Sequence, residues 1–258
     1  MTRRSCTTFR ANAVRLPSHG LEDKVRLIAR QGVKIARAAR EIVGMSAYVA
    51  GSIGPLGKPL VPFGTISIAD AERYFQASAE GLLEGGCDAF ILETFQDLNE
   101  ILAALRAVRR VSLDLPVIAQ MTFGLDGKTL YGHTPLQMVR ALQPAGADVV
   151  GVNCSIGPQP MLEILEQVVQ AAGAMPVSAM PNAGLPQFSG VRFLYLSSPE
   201  YFADFAARAV DLGVRLVGGC CGTTPKHIAA MRERLASHLP AERVAAGATH
   251  SSSWALPF

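Results

Sequence analysis

Val214-Arg215-Leu216-Val217-Gly218-Gly219-Cys220-Cys221-Gly222-Thr223-Thr224-Pro225 is the stretch from which the architecture can be read. It opens on a short apolar run and turns through glycines. It then meets Thr224-Pro225, an N-cap residue followed by a first-turn proline. The reading is strand over 214–219, tight loop, helix over 225–238. The same unit recurs along the chain. Further strands are predicted over 5–9, 46–52, 88–93, 116–122, 148–153 and 176–180. Helices are predicted over 21–43, 68–84, 98–111, 135–143, 160–172 and 199–212, and Thr134-Pro135 repeats the capping signal. In the first helix Val25, Ile28, Val33, Ile35 and Ile42 form an apolar stripe at helical spacing. Most strand runs lack polar alternation, as strands buried on both faces do.

Alternating strands and helices imply a parallel sheet with right-handed crossovers. The count is seven units, and a closed barrel of this kind has eight strands. The expected fold is therefore an α/β, TIM-type (β/α)8 barrel with its first strand missing, so that seven βα units are present. An open doubly wound sheet is the alternative. No boundary interrupts the repeats. Residues 1–239 are expected to form one barrel domain, incomplete at its N-terminal side. Residues 240–258, rich in Ala, Ser and Gly, read as a flexible tail or linker.

Hydrophobic residues at 49% and charged residues at 17% of 258 positions give a globular composition. The formal net charge of +3 comes with no basic block, which argues against nucleic acid as a partner. No eighteen-residue apolar run exists, so no membrane span is expected. The basic start Met1-Thr2-Arg3-Arg4 is not followed by a hydrophobic run, which argues against a secretory signal. Five cysteines, two of them adjacent, suit a reduced protein with a thiolate site, and the cytoplasm is the expected compartment.

A second cysteine element, Gly151-Val152-Asn153-Cys154-Ser155, ends the fifth strand. Both elements fall at C-terminal strand ends, where barrel active sites form. Three thiolates converging there would hold one zinc ion tetrahedrally and leave a position open, the mark of a catalytic site. The glycines around Cys220 and Cys221 would let adjacent side chains reach one metal. Zinc binding would drive the proton off an incoming thiol and make it a nucleophile. Cys6 and Cys87 read as small buried hydrophobes, and His133 and His227 as surface or helix-start residues. Asn182-Ala183-Gly184 is open between turn chemistry and shaping the donor entrance. A redox role for Cys220-Cys221 is a separate reading, weakened by the lack of a CxxC element. Gly51–Gly57 does not form a GxGxxG cradle.

The elements Gly-Val-Asn-Cys-Ser (151–155), Pro-Asn-Ala-Gly-Leu-Pro (181–186) and Gly-Gly-Cys-Cys-Gly-Thr-Thr-Pro (218–225) resemble the homocysteine S-methyltransferase family. The likeness runs from about Thr8 to Leu235. It is strongest to the N-terminal domain of bacterial bifunctional homocysteine S-methyltransferase/methylenetetrahydrofolate reductases, through Leu92-Glu93-Thr94-Phe95, Gln120-Met121-Thr122-Phe123 and Ser198-Pro199-Glu200-Tyr201. The resemblance implies Zn2+ on Cys154, Cys220 and Cys221, and methyl transfer to the zinc-bound thiolate of homocysteine to give methionine. It implies that Glu93 holds the substrate amino group, that Asn153 and Ser155 shape the cysteine loop, and that Thr94 and Asn182 complete the substrate side. The implied donor is 5-methyltetrahydrofolate, or S-methylmethionine or S-adenosylmethionine, with a reductase or cobalamin domain as partner. Betaine is less suited, because a quaternary ammonium wants an aromatic cage and Thr94 is not aromatic. One departure bears on the fold. The family's opening strand carries an Asp-Gly-Ala/Gly-x-Gly-Thr segment that this chain lacks, in agreement with the count of seven. Cys6-Thr7-Thr8-Phe9 stands where the family tends to read Thr-Asn-Thr-Phe, and Arg10 stands where glycine is usual. An inactive, truncated zinc-binding barrel is therefore the alternative function.

Overall fold

In the computed structural model, residues 4–5, 8–44, 46–190 and 192–238 are described. Seven strands run parallel in one sheet: β1 (Arg4–Ser5), β2 (Val49–Ile53), β3 (Ala89–Phe95), β4 (Val117–Met121), β5 (Val149–Asn153), β6 (Val177–Met180) and, after a two-stranded hairpin of β7 (Gln187–Ser189) and β8 (Arg192–Leu194), β9 (Leu216–Val217). Their order in the sheet is β1-β2-β3-β4-β5-β6-β9. Sequential strands lie side by side, as a TIM-type wall requires. Among the described residues β1 and β9 are each paired on one side only, so the wall is a partial barrel.

Each crossover carries a helix: α1 (Val25–Val43), α2 (Ile68–Gly85), α3 (Leu98–Val111), α4 (Pro135–Leu142), α5 (Pro158–Ala172) and α6 (Pro199–Leu212), with α7 (Pro225–Ala236) after β9. Side chains fix several starts. Asp97 accepts from Asn99 N, Ser67 from Asp70 N and Ser198 from Tyr201 N, and Thr134 with Gln137 forms a capping box. Consecutive helices touch one another around the outside of the sheet. The main core lies between helices and sheet. A smaller cluster of Ala50, Ile91 and Ile118 lines the sheet's other face.

Three expectations need correction. The strand predicted over 5–9 ends at Ser5 among the described residues. Thr8–Arg10 form a turn, in which Ala11 N donates to Thr8 O at 2.8 Å, while Cys6 and Thr7 lie outside the described residues. The helix predicted from 21 begins at Val25, after a short 3-10 turn over Glu22–Lys24. Its apolar stripe is also misread: Ile35 and Ile42 are 69% and 86% exposed, and the buried face is Val25, Ala29 and Val33. The reason is a close approach. A Cβ on Gly81 would collide with Arg26 O, and one on Gly85 would lie 2.6 Å from Val33 Cβ. Helix α2 therefore offers a notch that only the smaller side chains of α1 can enter. The predicted tail, 240–258, lies outside the described residues.

Candidate metal centre

Strand alternation aims the first polar groups. Ala50 and Ile91 belong to the inner cluster, so Ser52 and Glu93, two residues further on, face the same side. Ser52 Oγ donates to Glu93 Oε1. The β3–β4 register slips between Leu92 and Phe95, a bulge that holds Glu93 and Thr94. Thr94 has φ +67°, Cys154 +62° and Ser155 +63°. These are the non-glycine residues with positive φ among those described, and all three lie at this mouth of the sheet. Each such residue costs on the order of 1–2 kcal/mol, so the surrounding bonds must hold it.

The three cysteines come from strands two places apart. Cys154 follows β5, while Cys220 and Cys221 follow β9. What joins them is the segment after β6. Cys154 N donates to Met180 O (3.0 Å), Asn182 N to Ile156 O (3.0 Å), Cys220 N to Pro181 O (2.8 Å) and Ala183 N to Cys221 O (2.9 Å). The Asn182 side chain accepts from Cys221 N at 3.1 Å. Asn182 is buried, and its side chain also hydrogen-bonds to the Cys154 sulfur. The bridge continues outward: Ser197 N donates to Ala183 O, and the His227 ring meets Ser197 O at 2.9 Å. Because Thr224 N–H points at His227 Nδ1, Nε2 is the nitrogen that donates to Ser197 O. His227 thus acts at a helix start, in the capping box of α7.

The sulfurs of Cys154, Cys220 and Cys221 all lie within 4.8 Å of one another, with Cys154 Sγ and Cys221 Sγ 3.8 Å apart. A tetrahedron with metal–sulfur bonds of about 2.3 Å has edges of about 3.8 Å, so the donor set fits a zinc-sized ion. Cys154 is lowered to about 6, chiefly because the Cys220 thiol hydrogen-bonds to its sulfur, a gain that outweighs burial. Cys220 is pushed up, first by that same hydrogen bond and then by burial. Cys221 is also raised, burial leading. Cys220 and Glu93 line one cavity of about 610 Å3, together with Met180, Leu216 and Met231.

A family model described as Homocysteine S-methyltransferase matches residues 4–235. The chain belongs to the homocysteine S-methyltransferase family. It is 37% identical over 229 residues to the methionine synthase of Mycobacterium tuberculosis, covering 86% of this chain and 19% of that protein. To the methionine synthase of Mycobacterium leprae it is 36% identical over 229 residues, again covering 86% and 19%. The chain thus spans about a fifth of the length of these curated relatives. The Escherichia coli homocysteine methyltransferase MmuM, in its metallated form, matches with a TM-score of 0.74 at 22% identity, over 90% of this chain and 79% of that one. That likeness carries the fold.

For this member of the family, the residues singled out from sequence fall into two groups. Cys154, Cys220, Cys221, Asn153, Thr94, Asn182 and Glu93 gather at one mouth of the sheet. Ser155 is exposed on its lip. Cys87 is buried in the main core, away from the sulfurs. Cys6 lies outside the described residues. His133 precedes α4, its N–H bonded to Thr129 Oγ1 at 3.2 Å. Sequence reasoning missed Ser52 and Thr122, the second of which donates to Asn153 O at 2.9 Å. For Ser52 the available signal was a hydroxyl residue inside an otherwise apolar, fully buried strand, whereas Thr122 lies just past the end of β4. Sequence reasoning also missed Tyr195, whose ring packs where a Cβ on Gly222 would go. Among the described residues no helix is long and apolar enough to cross a membrane.

Proposed function

We propose that this chain methylates the sulfur of homocysteine to give methionine, with Zn2+ held by Cys154, Cys220 and Cys221. The observation that carries the reading is the sulfur triangle itself, within 4.8 Å and beside a cavity that also admits Glu93. When bound there, zinc would acidify the incoming thiol and present it as a thiolate. The chain's own groups do the rest. The Glu93 carboxylate, oriented by the Ser52 hydroxyl, receives the substrate ammonium. The Asn182 bridge and the buried Asn153 keep the cysteine loops in place. Ser155 and Thr94, at the lip and in the bulge, border the substrate. Positioning of this kind favours in-line transfer: the S–CH3 bond forms as the donor–CH3 bond breaks, and the donor keeps the electron pair. The thiol proton leaves to solvent beforehand.

The kinship to methionine synthases supports 5-methyltetrahydrofolate as donor, delivered with a cobalamin or reductase domain as partner. S-methylmethionine and S-adenosylmethionine are the next candidates. Free thiols suit the cytoplasm, a reducing compartment. The test is an assay of zinc-loaded protein on homocysteine with a panel of donors including betaine. Methionine formation with one donor supports the reading, and none with any donor on a zinc-loaded, folded sample counts against it.

One observation favours a second reading. Among the described residues β1 and β9 are each paired on one side, and an eighth strand between them would complete a (β/α)8 barrel. On this view the seven units bind zinc and turn over only when that wall is closed. Supplying the family's opening strand should then raise turnover from background, whereas no change would leave the metal-binding module without an enzymatic role.

A further inference from the structure

We propose that Asn153 is a positioning residue that fixes the spacing between the Glu93 carboxylate and the Cys220 sulfur, and so selects an amino thiol of homocysteine's length. This rests on the reading of Glu93 as the ammonium site.

Asn153 has no exposed surface, so it acts through its neighbours. Its Oδ1 accepts from Thr94 N at 2.8 Å, and its Nδ2 donates to Thr94 Oγ1 at 2.8 Å. The same Nδ2 lies 4.0 Å from Cys220 Sγ. The amide has one orientation that satisfies all three contacts. Thr94 N–H can only donate, so Oδ1 must face it, and both amide hydrogens then turn toward the hydroxyl and the sulfur. Asn153 is itself anchored, since its backbone carbonyl receives the Thr122 hydroxyl.

The consequence is mechanical. Thr94 is half of the bulge that aims Glu93, and it stands at φ +67°, a conformation that a lone threonine leaves readily. The two bonds to Asn153 hold it there. The third contact ties the same amide to a sulfur of the metal site. One buried side chain therefore sets both ends of the gauge against which a bound amino thiol is measured. Aspartate has the same shape and could still accept from the Thr94 N–H and, with the hydroxyl turned round, from Thr94 Oγ1, but it would set a carboxylate oxygen against Cys220 Sγ in place of the N–H. It would cut the tie to the sulfur while filling the same space.

The test reads thiol binding and needs no methyl donor. Cobalt(II) replaces zinc, and the sulfur-to-metal charge-transfer band is titrated with homocysteine and with 4-mercaptobutyrate, the same chain without its amino group. The intact protein should prefer homocysteine by at least about tenfold, the value of one charge-assisted contact. Asn153→Asp and Asn153→Ala should keep one cobalt per chain and lose most of that preference, with homocysteine weakened and 4-mercaptobutyrate little changed. Thr94→Ala removes the hydroxyl acceptor and leaves Asn153 in place. It should lose several-fold of the preference, and it decides the matter if the Asn153 variants do not fold. Equal weakening of both thiols, with the preference intact, would overturn the proposal and leave the Glu93 reading standing. An intact protein that binds cobalt yet shows no preference would overturn both.

Discussion

The sulfurs of Cys154 and Cys221 lie 3.8 Å apart although 67 positions separate them in the chain. Loops meet here, not core strands: Cys154 and Cys220 are half-buried and Cys221 is exposed. Changing one of them should therefore cost metal and not fold. Cys220→Ala is expected to lose zinc and all thiol methylation while the metal-free protein changes stability by less than about 1 kcal/mol. Metal analysis, a turnover assay and a circular-dichroism melt check this together. Full zinc and full turnover in that variant would refute the metal assignment.

Zinc should also stabilise the folded chain, because the unfolded chain does not bring the three thiols together. At a free zinc concentration 100-fold above its dissociation constant the gain is about 2.7 kcal/mol. For a chain of this size that is roughly 5–10 °C in melting temperature. A chelator should reverse the shift, and Cys220→Ala should show none. A melting temperature indifferent to zinc in the intact protein would mean that the cluster does not bind it.

Glu100 offers a stability test independent of the metal. Its carboxyl, on α3, accepts Leu56 N at 2.8 Å and is buried. Burial first, then the nearby Asp97 charge, pushes it up to about 7, against the Leu56 hydrogen bond and Arg15. The unfolded carboxyl ionises near 4.5. Between those values the folded chain holds the proton that the unfolded chain has released, so stability falls as pH rises through this window and levels off above it. The full effect is on the order of 3 kcal/mol. Glu100→Gln keeps an oxygen for Leu56 N and removes the charge. It should raise the denaturation midpoint at pH 8 and give no advantage at pH 4. Parallel pH profiles for the two proteins would show that Glu100 does not titrate in this way.

Gly151, in the strand that carries Asn153, has no room for a side chain. A Cβ there would collide with the hydroxyl and carbonyl oxygens of Ser178 on the neighbouring strand. Gly151→Ala is expected to destabilise the protein by about 3 kcal/mol and to weaken zinc binding by displacing β5 from β6. Urea denaturation and a zinc titration measure the two effects. A variant as stable as the parent would show that β5 and β6 can part without cost.

Much of this was legible in the sequence, for identifiable reasons. Helices Leu98–Val111 and Pro199–Leu212 match their predicted bounds because Asp97 and Ser198 cap them and apolar spacing runs unbroken between. The cysteine elements could be placed at strand ends because glycines bracket them. The inner stripe of α1 could not be read. Its periodicity shows that apolar faces exist, and the choice of Ala29 and Val33 over Ile35 and Ile42 is made by the glycine notch on α2, far away in sequence. The hairpin of Gln187–Ser189 and Arg192–Leu194 was missed because each arm is three residues long, too short for alternation to register. The roles of Ser52, Thr122 and the 181–183 bridge are pairings across strands, which local pattern does not encode.

That bridge has an effect on assembly. Since β6 sits between the two strands that deliver the cysteines, a fault there would scatter the thiols although every one of them is unchanged. Capturing the ion would then act as a proofreading step: a chain whose strands had docked out of place would fail to retain zinc, and metal content would count the correctly built molecules in a sample.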